Sequence, residues 1–114
     1  MGYRSEVAIA IAKEKVEEFK SKLNEDGKEL VEQYCEIHEF DDHTVFHWDW
    51  LKWYDNYEDV KSVTEAFNSI DDDYKEMIRI GESGDDIEDN RFRPNANNYW
   101  LSWSSPTILL MGKE

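Results

Sequence analysis

Residues 35–50, CEIHEFDDHTVFHWDW, decide how the rest of the chain is read. Apolar and polar side chains alternate on both sides of Asp41-Asp42-His43, the period of two that marks paired strands joined by a tight turn. With Asp42 and His43 as the two loop residues, one face of the hairpin carries Cys35, Ile37, Phe46, Trp48 and Trp50. The other carries Glu36, His38, Phe40, Val45, His47 and Asp49. Trp48 and Trp50 are therefore expected in the core, and His38 is expected directly opposite His47.

Outward from this hairpin the period switches between two and 3.6. Tyr3, Ser5, Val7, Ile9 and Ile11 alternate with Arg4, Glu6, Ala8 and Ala10, which predicts a first strand. Ala12, Val16, Phe19 and Leu23 form the stripe of an amphipathic helix. Asn24, Asp26 and Gly27 interrupt it before a further helical turn or two around Leu30, Val31 and Tyr34. After the hairpin, Asp55-Asn56-Tyr57-Glu58 has the form of a capping box ahead of a second stripe, Val60, Val63, Phe67 and Ile70. Asp71-Asp72-Asp73 ends that helix, and Tyr74–Glu82 reads as a fourth strand around Ile78 and Ile80. The order strand, helix, strand, strand, helix, strand predicts an α+β fold of the ferredoxin-like split βαβ kind, an antiparallel sheet with two helices on one face. A single domain is expected over residues 1–114, with 83–98 an acidic and polar loop and 99–114 a C-terminal extension forming an edge strand or a tail.

Charge narrows the function classes. The 114 residues hold 27 acidic and 13 basic side chains, a net charge of −14. Residues 1–34 carry 8 acidic and 6 basic side chains, leaving 19 and 7 for residues 35–114, so the later part builds the negative field. Such a surface repels nucleic-acid phosphates and anionic lipid headgroups and attracts basic protein surfaces. The single cysteine, Cys35, forms no internal disulfide. No apolar run reaches the roughly 20 residues that span a bilayer. The start MGYRSEVAIAIA lacks the pattern of a signal peptide, so a cytoplasmic setting is expected.

Few residue constellations point to chemistry. His38 and His47, flanked by Glu36 and Asp49, offer a ligand set for zinc or another divalent ion. Glu82, Asp85, Asp86, Glu88 and Asp89 lack the spacing of an EF-hand loop. Cys35 and His38 point to opposite faces of one strand and cannot share a proton. With no glycine-rich phosphate loop, no G-x-S-x-G elbow and no paired CxxC, neither a catalytic residue nor a cofactor is expected. The acidic clusters are the candidate partner-binding residues: Glu36, Glu39, Asp41 and Asp42; Glu58 and Asp59; Asp71, Asp72 and Asp73; and the 82–89 loop. Trp53, Tyr54, Trp100 and Trp103 are the candidate aromatic anchors. This combination predicts a protein that presents carboxylates where a basic groove expects phosphates. The alternatives are a small-molecule or nucleotide-binding module using Arg4, Arg79, Arg91 or Arg93 as anion contacts, or a divalent-metal-binding protein built on His38 and His47. Arg4 is also expected to pair with the acidic 82–89 loop.

Gly2-Tyr3-Arg4-Ser5-Glu6-Val7, Leu51-Lys52-Trp53-Tyr54, Asp59-Val60, Arg79-Ile80-Gly81-Glu82 and Asp85-Asp86-Ile87-Glu88 together resemble a set of small, mostly uncharacterised proteins of bacteriophages and prophages. The resemblance runs to about residue 89 and leaves out the chain after Pro94. It implies an accessory protein of a phage or mobile element acting in the host cytoplasm, a class in which acidic inhibitors of host defence nucleases, CRISPR effectors and restriction enzymes among them, are common. It supplies no binding or catalytic residues of its own.

Overall fold

A computed structural model of the chain describes residues 2–96, 98–104 and 107–111. Its strands and helices are β1 (Ser5–Ala12), α1 (Val16–Ser21), α2 (Glu25–Gln33), β2 (Glu36–Glu39), β3 (His43–Leu51), α3 (Glu58–Asn68), β4 (Lys75–Gly81), β5 (Ile87–Asn90), β6 (Leu101–Ser104) and β7 (Thr107–Leu110). The fold is α+β, with a five-stranded sheet in the order β2-β3-β1-β4-β5 and every neighbouring pair antiparallel. Among the described residues no helix is long and apolar enough to cross a membrane.

The alternation along β1 sorts the core into two layers. Val7, Ile9 and Ile11 face the helices and pack with Phe19, Leu30, Val31, Val63 and Phe67. The opposite face of β1 carries Glu6 and, as its apolar side chains, Ala8, Ala10 and Ala12. Those small side chains leave depth for larger ones, and Trp100, Leu101 and Ile108 of the C-terminal segment fill it. The segment expected as an edge strand or tail is instead a separate two-stranded hairpin, β6–β7, laid over this second face. The expected 83–98 loop likewise contains a strand, β5, which pairs with β4 from Met77↔Asn90 to Ile80↔Ile87. Composition hid both, because β5 reads IEDN and its exposure comes from lying at the sheet edge.

Local chemistry explains three further departures from the sequence reading. Asn24 falls in the expected break between the helices but also starts the second, its side chain capping α2 by accepting the Gly27 amide at 2.9 Å, so that Asp26 and Gly27 lie within α2 instead of in the break. Gly27 lies inside α2 because α3 passes close by, and a Cβ there would run into Ser62 Oγ and sit 2.8 Å from Ser62 Cβ. The expected capping box at Asp55–Glu58 is absent; Tyr57 takes the N-cap position without a side-chain bond, and Asp59 accepts the Val60 amide at 2.7 Å.

The central hairpin keeps its faces but slides. Asp41 and Asp42 are the loop residues, so Glu36 pairs with His47 and His38 with Val45, a shift of two positions. Trp48 is in the core as expected, and its indole donates to Leu30 O at 3.0 Å. Trp50 is not. A bulge between the Ser5↔Leu51 and Val7↔Trp48 pairs reverses the alternation, and Trp50 sits at φ 73° with 51% of its surface exposed. Leu51 packs against the helix-side core in its place.

Candidate functional site

The sequence-predicted acidic residues do not form one patch. Glu36, Glu39, Asp41 and Asp42 follow β2 and its turn at one edge of the sheet, and Glu82, Asp85, Asp86, Glu88 and Asp89 follow β5 and its turn at the other. Four strand spacings separate the two edges, about 19 Å. Glu58 and Asp59 open α3, while Asp71, Asp72 and Asp73 lie between α3 and β4.

Many of these carboxylates already have internal partners. Arg79 bonds Asp86 at 3.0 Å and also pairs with Glu88, so the guanidinium holds the Asp86 carboxyl below the usual range with help from the Tyr3 hydroxyl at 2.9 Å. Arg91 forks onto Asp89 with two 2.7 Å bonds and lowers that carboxyl in the same way. His43 Nδ1 lies 2.6 Å from Asp42 and lowers it. Lys13 reaches Glu39 at 3.1 Å, and Asn95 donates to Asp73 at 2.8 and 3.0 Å. The expected pairing of the Arg4 side chain with the 82–89 loop does not form. The Arg4 backbone amide donates to Glu82 at 2.7 Å while its guanidinium reaches Trp50 O, and Arg79 is the side chain that holds the loop.

Two of the four aromatic anchors fall away. Trp53 is 7% and Trp100 8% exposed, Trp53 tilted against Trp48 and Trp100 stacked on His43. Tyr54 is half-buried, its hydroxyl accepting the Tyr3 amide at 2.6 Å. Trp103 stays 37% exposed, with its indole donating to Asp89 at 3.1 Å. The aromatic that sequence reasoning missed is Trp50. It lines a cleft of about 450 Å³ with Glu6, His47, Asp49 and Glu82. Alternation alone assigned Trp50 to the core, and the left-handed residue that overturns this carries no glycine to announce it.

Two remaining clusters resolve clearly. Cys35 is unsuited to nucleophilic chemistry: burial pushes its thiol up to about 12, and the Sγ–H donates to Val31 O at 2.8 Å. Glu36, His38 and His47 do come together, with one donor atom from each lying within 4.8 Å of the others. Asp49, expected beside them, falls at the bulge and lines the Trp50 cleft. No protein-family model, curated protein or solved structure matches the chain.

Proposed function

We propose that this chain is a non-enzymatic phage or mobile-element interaction protein that occupies the basic, nucleic-acid-binding groove of a host defence protein, a CRISPR effector or restriction enzyme, in the bacterial cytoplasm. One observation carries the reading: Arg79, Arg91 and Arg93 are each spent on an internal carboxylate, so the net charge of −14 faces outward with little arginine beside it. Asp41, Asp49, Asp55, Glu58, Asp71 and Asp85 are exposed and have no ion-pair partner among the described residues. The same commitment of arginines weighs against the nucleotide-binding alternative, which needs free guanidinium groups.

The Trp50 cleft supplies the desolvated anchor that charge alone lacks. A lysine or arginine from a partner would meet an indole face and the carboxylates of Glu6, Asp49 and Glu82, a pairing worth more out of water than at an open surface. The scaffold is consistent with a small rigid presenter. The order β2-β3-β1-β4, with helical connections from β1 to β2 and from β3 to β4, supports a ferredoxin-like split βαβ core extended by β5.

The test is capture from bacterial lysate at low and high salt, followed by competition with DNA or RNA. A retained basic nuclease displaced by nucleic acid, with Trp50→Ala weakening capture roughly thirtyfold or more, is the expected outcome. Retention that excess nucleic acid leaves intact would place the contact outside the groove and defeat the proposal.

A further inference from the structure

We infer that Glu36, His38 and His47 form a binding site for a divalent transition metal of the zinc class, on the helix-free face of the sheet beside its β2 edge. The site adjoins the Trp50 cleft, sharing His47 and Glu6 with it, but the inference uses only local geometry and does not depend on the partner proposed above.

Glu36 and His38 are two apart on β2 and therefore point to one face, and the β2–β3 register puts Glu36 directly across from His47 with His38 on the diagonal. Their donor atoms lie within 4.8 Å of one another. A tetrahedral zinc with bonds near 2.0–2.1 Å wants its ligand atoms about 3.4 Å apart, a contraction that rotation of the exposed Glu36 and half-exposed His38 side chains supplies. The two imidazoles are tilted by 54° with centroids 6.3 Å apart.

Two further contacts prepare the ligands. Glu6 on β1 lies 2.7 Å from His47 Nε2, and its other carboxylate oxygen accepts the Ile108 amide of β7 at 3.2 Å, which anchors it. In the tautomer whose Nε2–H donates to this carboxylate, Nδ1 of His47 keeps its lone pair for a metal and the ring is held in place, the usual outer support of a metal-binding histidine. His38 Nε2 is out of solvent and has no hydrogen-bond partner, although the Glu36 carboxylate lies 3.3 Å away. A nitrogen out of solvent, 3.3 Å from a carboxylate and near a second imidazole, is placed to share a cation with them.

Donor chemistry selects the ion. Two imidazoles and one carboxylate favour zinc, nickel or copper over magnesium or calcium, which prefer all-oxygen shells. Three protein ligands leave the fourth position open. Binding would staple β2, a four-residue and largely exposed edge strand, onto β3.

Calorimetry of chelator-treated protein with zinc chloride tests this directly. One equivalent should bind, and a hundredfold excess over Kd should raise the melting temperature by roughly 10 °C, while magnesium does neither. His38→Gln and His47→Gln should each weaken zinc more than tenfold, Glu6→Gln should weaken it about 10–100-fold without changing the stoichiometry, and Cys35→Ser should leave it unchanged. Should His47→Gln fail to fold, the exposed Glu36→Gln provides the same readout. Absence of zinc heat in the wild type, or equal binding by a His38→Gln, Glu36→Gln double variant, overturns the assignment, the latter placing zinc elsewhere on the acidic surface.

Discussion

Val7, Ile9 and Ile11 of β1 face three helices, whereas Ala8, Ala10 and Ala12 of the same strand face the β6–β7 hairpin, and the two covers are attached by different means. The helix side is an apolar interior in which each fully buried large side chain contributes about 1.5–3 kcal/mol. The hairpin side adds charge-assisted hydrogen bonds to a thinner apolar layer. Glu76, fully buried, accepts from Arg93 Nε at 2.6 Å, from the Trp100 amide at 3.0 Å and from the Leu101 amide at 2.9 Å. Arg93 in turn lies 3.7 Å over the Trp100 ring, and Arg91 donates to Leu101 O at 3.0 Å. Desolvating a buried ion pair offsets most of what its attraction gains. Such a latch therefore fixes where the hairpin sits more than it adds to total stability, yet removing one member leaves a bare charge behind.

The comparison is broken most severely from the helix side. Phe46 is fully buried and packs on Phe19 with ring centroids 5.5 Å apart, so Phe46→Ala should cost about 3–5 kcal/mol and lower the urea midpoint of the whole chain in one transition. Glu76→Gln should cost about 3 kcal/mol, but locally. Proteolysis within the hairpin should rise while far-ultraviolet dichroism of the helices is kept. Equal hairpin protection in wild type and Glu76→Gln would mean that Trp100, Leu101 and Ile108 hold the hairpin by burial alone. Gly27→Ala sharpens the comparison with a smaller effect, about 1–3 kcal/mol by chemical denaturation, because the added methyl meets Ser62 where α2 and α3 pass closest.

The helix side was legible in the sequence and the hairpin side was not, for a physical reason. Periodicity reports which residues shun water, and Val16, Phe19, Val60, Val63 and Phe67 obey it, so the helices, the first four strands and the core position of Trp48 could be read directly. The latch joins the Glu76 carboxylate to Arg93 and the Trp100 amide, and the Glu6 carboxylate to the Ile108 amide, polar groups distant in sequence that no period links. For the same reason Trp100 read as an exposed anchor when it is a buried one. Trp50 was lost to a single inserted residue, since one bulge inverts every side chain beyond it. The direct pairing of His38 with His47 was wrong, but the two stayed neighbours on one face because the slip was two residues, which preserves faces and moves partners only to the diagonal.

The gentlest probe of the two attachments is acid. Asp89 beside Arg91, and Asp86 beside Arg79 and Tyr3, are held below the ordinary carboxylate range in the fold, so the unfolded chain takes up their protons first as the pH drops below about 4. Their stabilisation is complete above that value and is lost as the pH falls through the lower folded values. The Asp89–Arg91 pair is only partly covered and lies near the surface, where solvent screening holds such a pair to at most about 1 kcal/mol. The melting temperature reports this poorly, because the same protonation relieves repulsion in a chain of net charge −14. Trp103 reports it well, since its indole N–H donates to Asp89 at 3.1 Å. Exchange of that indole proton should quicken between about pH 4 and pH 2 while the Trp48 indole, bonded to Leu30 O inside the helix-side core, stays protected. Parallel loss of both signals would show that the two faces open together and that the hairpin is no separate unit.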